Sequence, residues 1–132
     1  MSRAEELIAL AERVEALDGP DRDADLAVAQ AIYSKEEAAA LGWAHFLHPM
    51  RNGLGQVLEF TASMDAAFLL MPKGHWWAMG REEKRPWARC FDVGQMLDQP
   101  EEYGRAIDAT TPALALTAAA LRARAAMEAA DV

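Results

Sequence analysis

Residues 61–81 read TASMDAAFLLMPKGHWWAMGR, and this stretch decides the fold. A run of apolar residues predicts a short helix, which Thr61 or Ser63 caps and Pro72 ends. Leu69 widens the apolar face of this helix beyond a single stripe. We therefore predict that the helix is mostly buried.

The strand that follows, His75–Gly80, is apolar on both faces. Trp76 and Ala78 point to one side of the predicted strand, and Trp77 and Met79 point to the other. A strand of this kind has to be covered on both sides, which predicts helices on both faces of the sheet. The expected fold is α+β, a three-layer α/β/α sandwich around a small, mostly antiparallel sheet of three or four strands.

The next segments supply the other strands of this sheet. Arg81–Arg85 is a polar turn, and Pro86–Phe91 reads as the return strand of a hairpin. A short strand is predicted at Gln56–Phe60. A third strand is predicted from alternating residues, namely Tyr103, Arg105, Ile107 and Ala109.

Helices are predicted toward both ends of the chain. A capping box of Ser2 and Glu5 begins the first helix. A second helix follows after so short a connection that the two should form an antiparallel hairpin over residues 3–33. A proline at the first helical position begins a C-terminal helix over residues 112–129. With the helix-strand-hairpin core at 61–91, these segments predict one domain of 132 residues.

Charge and composition exclude several classes of function. The net charge is −8, and the first 40 residues hold ten acids against four bases. No basic face is clustered, so direct binding to nucleic acid is not expected. Cys90 has no second cysteine to pair with, which fits a reducing compartment. No apolar run approaches the ~20 residues that cross a bilayer, so we predict no membrane contact and a cytoplasmic location.

Three long segments resemble a known group of proteins. They are LIALAERVEALDGPDRDADLAVAQAI at 7–32, the stretch at 61–81, and ATTPALALTAAALRARAA at 109–126. The chain resembles small phage and prophage proteins of the phage ABA sandwich domain type. The resemblance implies an α/β/α layering and a bacterial or phage-infected host cell, and it implies no chemistry. Segments 43–60 and 92–102 have no counterpart in it.

Two groups of residues have side chains that could bind a metal ion. Asp21, Asp23 and Asp25 have the spacing that opens a calcium loop, but Leu26 and Ile32 stand where that loop needs Gly and Glu. The positive end of a helix dipole explains the three acids better. A zinc site could draw on ligand-type residues, namely His45, His48, His75, Cys90 and Glu59. His45 and His48 would need a helix to share a face, and Pro49 argues against one, so no metal is expected.

Nucleophilic catalysis has no local signature in this chain. Cys90 with a histidine, or Ser63 with His75, would be the candidate pairs. Neither lies in a motif such as G-x-S-x-G, and Cys90 on a strand is most simply a small core residue. We expect no catalytic residues and no cofactor.

Aromatic residues form the richest feature of the sequence, namely Trp43, Trp76, Trp77, Trp87 and Tyr103. Tryptophan in a small domain belongs mostly to a core or an interface. The alternative is a stacking pocket for a planar ligand such as a nucleotide. Its phosphates would then meet arginines, drawn from Arg81, Arg85, Arg89 and Arg105.

The function predicted first is a non-enzymatic protein-interaction module, a phage or prophage accessory protein. Its partner would be another protein or a second copy in a homodimer. One alternative is a protein that binds or sequesters a nucleotide-like small molecule. Another is an acidic inhibitor of a host nucleic-acid-binding protein, supported by the charge of the first 40 residues.

Overall fold

The computed structural model describes residues 2–33, 58–92 and 106–130. Across these ranges the chain is α+β, as predicted, with four helices and a three-stranded antiparallel sheet. In chain order the elements are α1 (Arg3–Glu15), α2 (Arg22–Ile32), α3 (Met64–Phe68), β1 (His75–Glu82), β2 (Arg85–Asp92), β3 (Ile107–Asp108) and α4 (Pro112–Ala130). Predictions for 34–57 and 93–105 lie outside the described residues, among them Trp43, His45, His48, Tyr103 and Arg105.

Helix α4 is the centre of the molecule. All nine residues from Ala113 to Leu121 are buried, which covers the full circumference of the helix. The small side chains of its alanines let neighbouring elements approach closely, with α1 on one side and β2 and β3 on another. Leu114, Ala118 and Leu121 are buried on this helix, and so are the six other residues of the segment.

The two N-terminal helices pack as the predicted antiparallel hairpin. Ser2 and Glu5 form the capping box that begins α1. Near that end, Arg3 Nη2 donates to the Ala31 carbonyl oxygen at 2.6 Å, so α1 begins where α2 ends. At the other end of α1, Arg122 of α4 donates twice to the Glu15 carboxylate, at 2.7 and 3.2 Å. Charged contacts therefore fix both ends of α1.

A buried polar cluster joins α2 to the segment before α3. The Asp25 carboxylate is fully buried, and its Oδ1 accepts from both the backbone N–H and the hydroxyl of Thr61, each at 2.8 Å. Arg22 Nη1 donates to the other carboxylate oxygen at 2.7 Å. Thr117 of α4 donates to the Phe60 carbonyl oxygen at 2.8 Å. Each buried polar group in this cluster is therefore satisfied, which keeps its burial inexpensive.

The sheet has the order β1-β2-β3, and its register defines two faces. Trp77 pairs with Cys90, and Ala88 pairs with Ile107. The inner face carries the buried residues of β2, namely Pro86, Ala88 and Cys90, and it packs on α4. The outer face carries Trp76, Ala78, Gly80, Trp87, Arg89 and Phe91.

The prediction that neither side of β1 faces solvent is wrong. Trp76 is 62% exposed on the outer face, and Trp77 is 46% exposed on the inner face. The reason is the position of β1 at the edge of the sheet, because α4 packs across β2 and β3 instead. An apolar pattern reports which residues could be buried, not where the covering helix lies. The three-layer arrangement with helices on both faces is accordingly not confirmed by the described residues.

Helix α3 is also shorter and less buried than predicted. Ser63 caps it, as expected, but it ends at Phe68. Three successive i to i−3 hydrogen bonds then tighten the chain before Pro72. This turn leaves Leu69 59% exposed, so the expected broad buried face is not formed. Of the strand predicted at Gln56–Phe60, the described part, from Leu58, is not in a strand.

Candidate interaction surface

Among the described strands β1 lies at the edge of the sheet, and an exposed apolar surface lies along that edge and the turn before it. We call it the β1 edge surface and define it by Leu69, Trp76 and Trp77. The Trp77 indole is held on one side by Phe68, at 5.0 Å between ring centroids and tilted by 60°. Trp76 lies on the opposite face of the same strand. The two adjacent indoles therefore flank the edge from both sides of the sheet.

The local sequence explains why this edge is presented. Gly74 adopts φ +84°, a left-handed conformation that turns the chain out of the α3 segment and into β1. The hairpin then closes through Glu83 and Lys84 alone, since Glu82 already pairs with Arg85. The predicted polar turn is therefore shorter than Arg81–Arg85, and β1 is correspondingly longer.

A groove of about 560 Å³ lies on the outer face of the sheet. Its lining includes Trp87, with the Arg89 guanidinium 5.8 Å from the centroid of that indole. Arg85 also lines the groove and donates to Asp108 at 3.1 Å. The remaining lining residues are Glu82, Glu83 and Ala106.

Because Gly80 has no side chain, the Trp87 indole can pack against its backbone in this groove. The two residues are cross-strand partners, and a Cβ on Gly80 would stand 2.7 Å from the Trp87 ring. Such a distance is well inside van der Waals contact, so a side chain at residue 80 would displace the indole. Glycine here is a requirement of close approach rather than of backbone conformation.

The structure brings together only part of the predicted aromatic and arginine set. Trp87, Arg85 and Arg89 meet in the groove. Trp76 shares the outer face but pairs with Phe91, four residues along β1 from the partner of Trp87. Arg81 is exposed and lies on the same face of β1 as Trp77.

The charges of the groove do not favour a phosphate. Its two arginines face three carboxylates, those of Glu82, Glu83 and Asp108. One of the arginines, Arg85, is already paired with Asp108. An anionic ligand would therefore have to compete with these carboxylates. Sequence reasoning missed the contribution of Asp108, because it lies 23 positions after Arg85 and meets it only through strand pairing.

The candidate nucleophiles are engaged in structural roles. Cys90 is 6% exposed between the sheet and α4, and this burial raises the pKa of its thiol to about 11, against a smaller opposing effect of Arg124. The thiol is thus protonated near neutral pH and a poor nucleophile. Ser63 accepts a hydrogen bond from the Ala66 N–H as the cap of α3.

Four acids of the helical hairpin make contacts within the fold. Asp21 caps α2, and Asp25 is buried against Thr61. Glu5 belongs to the capping box, and Glu15 pairs with Arg122. Within the ranges that the structure describes, no group of three or more His, Cys, Asp or Glu residues is placed to hold a metal ion.

Comparisons with known proteins do not add a family. No protein-family model matches the chain, and no curated protein or solved structure matches it either. Among the described helices, none is long and apolar enough to cross a membrane. The chain's own residues are therefore the basis for assigning a function.

Proposed function

We propose that this protein is a non-enzymatic protein-interaction module that binds through the β1 edge surface. The observation that carries the proposal is the exposure of two adjacent indoles, Trp76 at 62% and Trp77 at 46%, on an edge strand. In keeping with the sequence resemblance, we place it among cytoplasmic phage or prophage accessory proteins.

The size of the exposed surface supports this proposal. A tryptophan carries roughly 150–250 Å² of surface, so the two indoles leave on the order of 250 Å² of apolar surface in water. At about 25 cal/mol per Å², covering them would be worth roughly 6 kcal/mol. Single exposed apolar residues are ordinary, but two neighbouring exposed indoles, one on each face of the same edge strand, form a larger apolar surface than a single residue does. Tryptophan is also among the residues that dominate binding energy at interfaces.

The strand edge supplies a second element of recognition. An edge strand presents backbone N–H and C=O groups in a row, to which an extended segment of a partner can add. Main-chain hydrogen bonds would give affinity there, and the indoles on the two faces would give specificity. This combination needs no catalytic group.

The two alternatives have weaker support. A nucleotide-like ligand would have the Trp87 indole to stack on, but the carboxylates of Glu82, Glu83 and Asp108 oppose its phosphates. A thermal-shift screen against nucleotides tests it. An acidic inhibitor of a nucleic-acid-binding protein would use the exposed carboxylates of the helical hairpin, namely Glu6, Glu12, Asp18 and Asp23. Asp25 and Glu15 could not contribute, because both are engaged inside the fold.

Site-specific photo-crosslinking in the cells that make the protein tests the proposed function. A photoreactive phenylalanine analogue replaces Trp76 in one variant and Met127 in a control variant. Met127 is also an exposed apolar residue, at 45%, but it lies on α4 away from the sheet edge. We expect discrete protein adducts from residue 76 and none from residue 127.

The same experiment includes a disrupting change. Ala78→Glu places a carboxylate in the middle of the β1 edge, and it should remove the adducts formed at residue 76. Equal labelling from residues 76 and 127, or adducts that survive Ala78→Glu, would contradict the proposal.

A further inference from the structure

We infer that the partner of the β1 edge surface is a second copy of this chain. The two β1 strands would pair antiparallel across a two-fold axis and join the two sheets into one of six strands. This inference rests on the proposed function and deepens it, because it names the partner. It is argued from the regularity of the edge, its charge pattern and its exposed apolar residues.

The edge of β1 lacks the features that keep a strand from pairing. Its register with β2 runs unbroken through all eight residue pairs, from His75 to Glu82, so no bulge twists the edge away. The strand contains no proline, and its charged residues Arg81 and Glu82 lie at one end. Natural edge strands are blunted by bulges, prolines or central charges, and β1 has none of these.

Self-pairing requires that a strand be complementary to its own reverse, and β1 meets this condition. A two-fold axis perpendicular to the sheet pairs residues of the same face. With the axis at Met79, Arg81 of each copy stands across from Trp77 of the other, which permits a cation–π contact. The ends of opposite charge also meet, because the Lys73 end of one copy comes beside Glu83 of the other.

The apolar residues fit the same arrangement. Trp77 lies on the inner face, where its indole packs against Phe68 of α3. Trp76 lies on the outer face, beside the line along which the two β1 strands would pair. Dimerisation through β1 would therefore cover residues on both faces of the strand that a single chain leaves exposed.

Mass measurement across a concentration series tests the dimer with the full 132-residue chain. Light scattering coupled to size exclusion is run at ~0.15 M salt, where charges more than about 8 Å apart are screened, so that the −8 charge of each copy does not dominate. We expect the mass to rise with concentration from 14.5 kDa to twice that value.

Two matched variants locate the interface. Ala78→Glu should stay at 14.5 kDa throughout, because its new carboxylate lies beside its counterpart near the axis. Within its own chain this glutamate faces Arg89, the cross-strand partner of residue 78, so the fold should tolerate it. Met127→Glu introduces the same side chain on α4 and should dimerise like the unmodified protein. Circular dichroism verifies that both variants are folded.

The outcomes separate the two proposals. A mass of 14.5 kDa at every concentration up to ~100 μM, well above a micromolar dissociation constant, would overturn the dimer. The dimer would also be overturned if Ala78→Glu dimerised at the same concentrations as the unmodified protein. If crosslinks from residue 76 still formed to a different protein, the interaction module would stand without self-pairing. If neither dimer nor crosslink formed, both would fail.

Discussion

Helix α4 and strand β1 are both apolar on every side in the sequence, and the fold treats them in opposite ways. From Ala113 to Leu121, α4 is buried around its whole circumference. In β1, by contrast, Trp76 and Trp77 are each about half exposed or more. The difference follows from size and position. Alanine and leucine allow α4 to be enclosed by close neighbours. Strand β1 instead lies at the edge of the described sheet, where Phe68 of α3 packs against one side of Trp77 and leaves the rest of that indole exposed.

This contrast separates two uses of apolar surface. The apolar surface of α4 holds the domain together, and it is covered by α1 on one side and by β2 and β3 on another. The apolar surface of β1 adds little to that core. We therefore expect substitutions in α4 to change stability and substitutions on the β1 edge surface to change association.

The largest expected effect is at Leu121, which is fully buried in α4. Leu121→Ala removes buried methyl groups and leaves a cavity, so the free energy of unfolding should fall by about 3 kcal/mol. Urea denaturation measures it. Met127→Ala, a control on an exposed residue of the same helix, should change the free energy by less than about 0.5 kcal/mol. Similar losses of unfolding free energy in both variants would contradict the central position of α4 in the core.

The next largest loss of stability is expected from ionisation of Cys90, because burial of this β2 residue raises the pKa of its thiol. Its thiol has a pKa of about 11 in the folded chain, against 9.0 as the ordinary value. The unfolded chain therefore ionises first, and stability that is complete below pH 9 is lost as the pH rises through 11. At about 1.36 kcal/mol per pKa unit, that shift corresponds to a loss of roughly 2–3 kcal/mol in the free energy of unfolding.

Urea denaturation at pH 8 to 11 checks this dependence against Cys90→Ala. Because lysine and tyrosine also titrate there, only the difference in pH dependence between the two proteins is informative. We expect a shallower decline in the variant. Parallel curves would mean that the thiol is not desolvated between the sheet and α4.

A smaller loss of stability is expected from a substitution in the hairpin of β1 and β2. Gly80→Ala would set a Cβ 2.7 Å from the Trp87 ring and force the indole to move, at a cost of about 1–2 kcal/mol. Gly19→Ala is the matched control, because nothing lies within 4 Å of a Cβ there. The near-ultraviolet circular dichroism of Gly80→Ala should change with the indole's surroundings. An unchanged spectrum together with unchanged stability would contradict the close approach.

Local signals in the sequence predicted much of the fold. The capping box of Ser2 and Glu5, the cap Ser63 and the helix start at Pro112 depend on neighbouring residues alone, and all three are confirmed. The return strand predicted at Pro86–Phe91 is also confirmed, because β2 pairs antiparallel with β1. In each case the determining interaction spans only a few residues, so it can be read without knowing the fold.

The remaining features depend on tertiary placement. The exposure of Trp76 follows from the position of β1 in the sheet order, which no local pattern contains. The groove carboxylates of Glu82 and Asp108 meet through the pairing of β2 with its neighbours on either side. The sequence did single out Trp76, Trp77 and Arg81, but it placed the indoles under a covering layer rather than at a surface.

The most direct test of the account is the unfolding of Trp76→Thr at several protein concentrations. Threonine keeps a high strand propensity, so the substitution removes the exposed indole and little else. We predict that at low concentration its free energy of unfolding matches that of the unmodified protein within about 0.5 kcal/mol. At high concentration only the unmodified protein should gain stability, through association. A loss of several kcal/mol at every concentration would show that the indole of Trp76 belongs to the core, and would contradict the account.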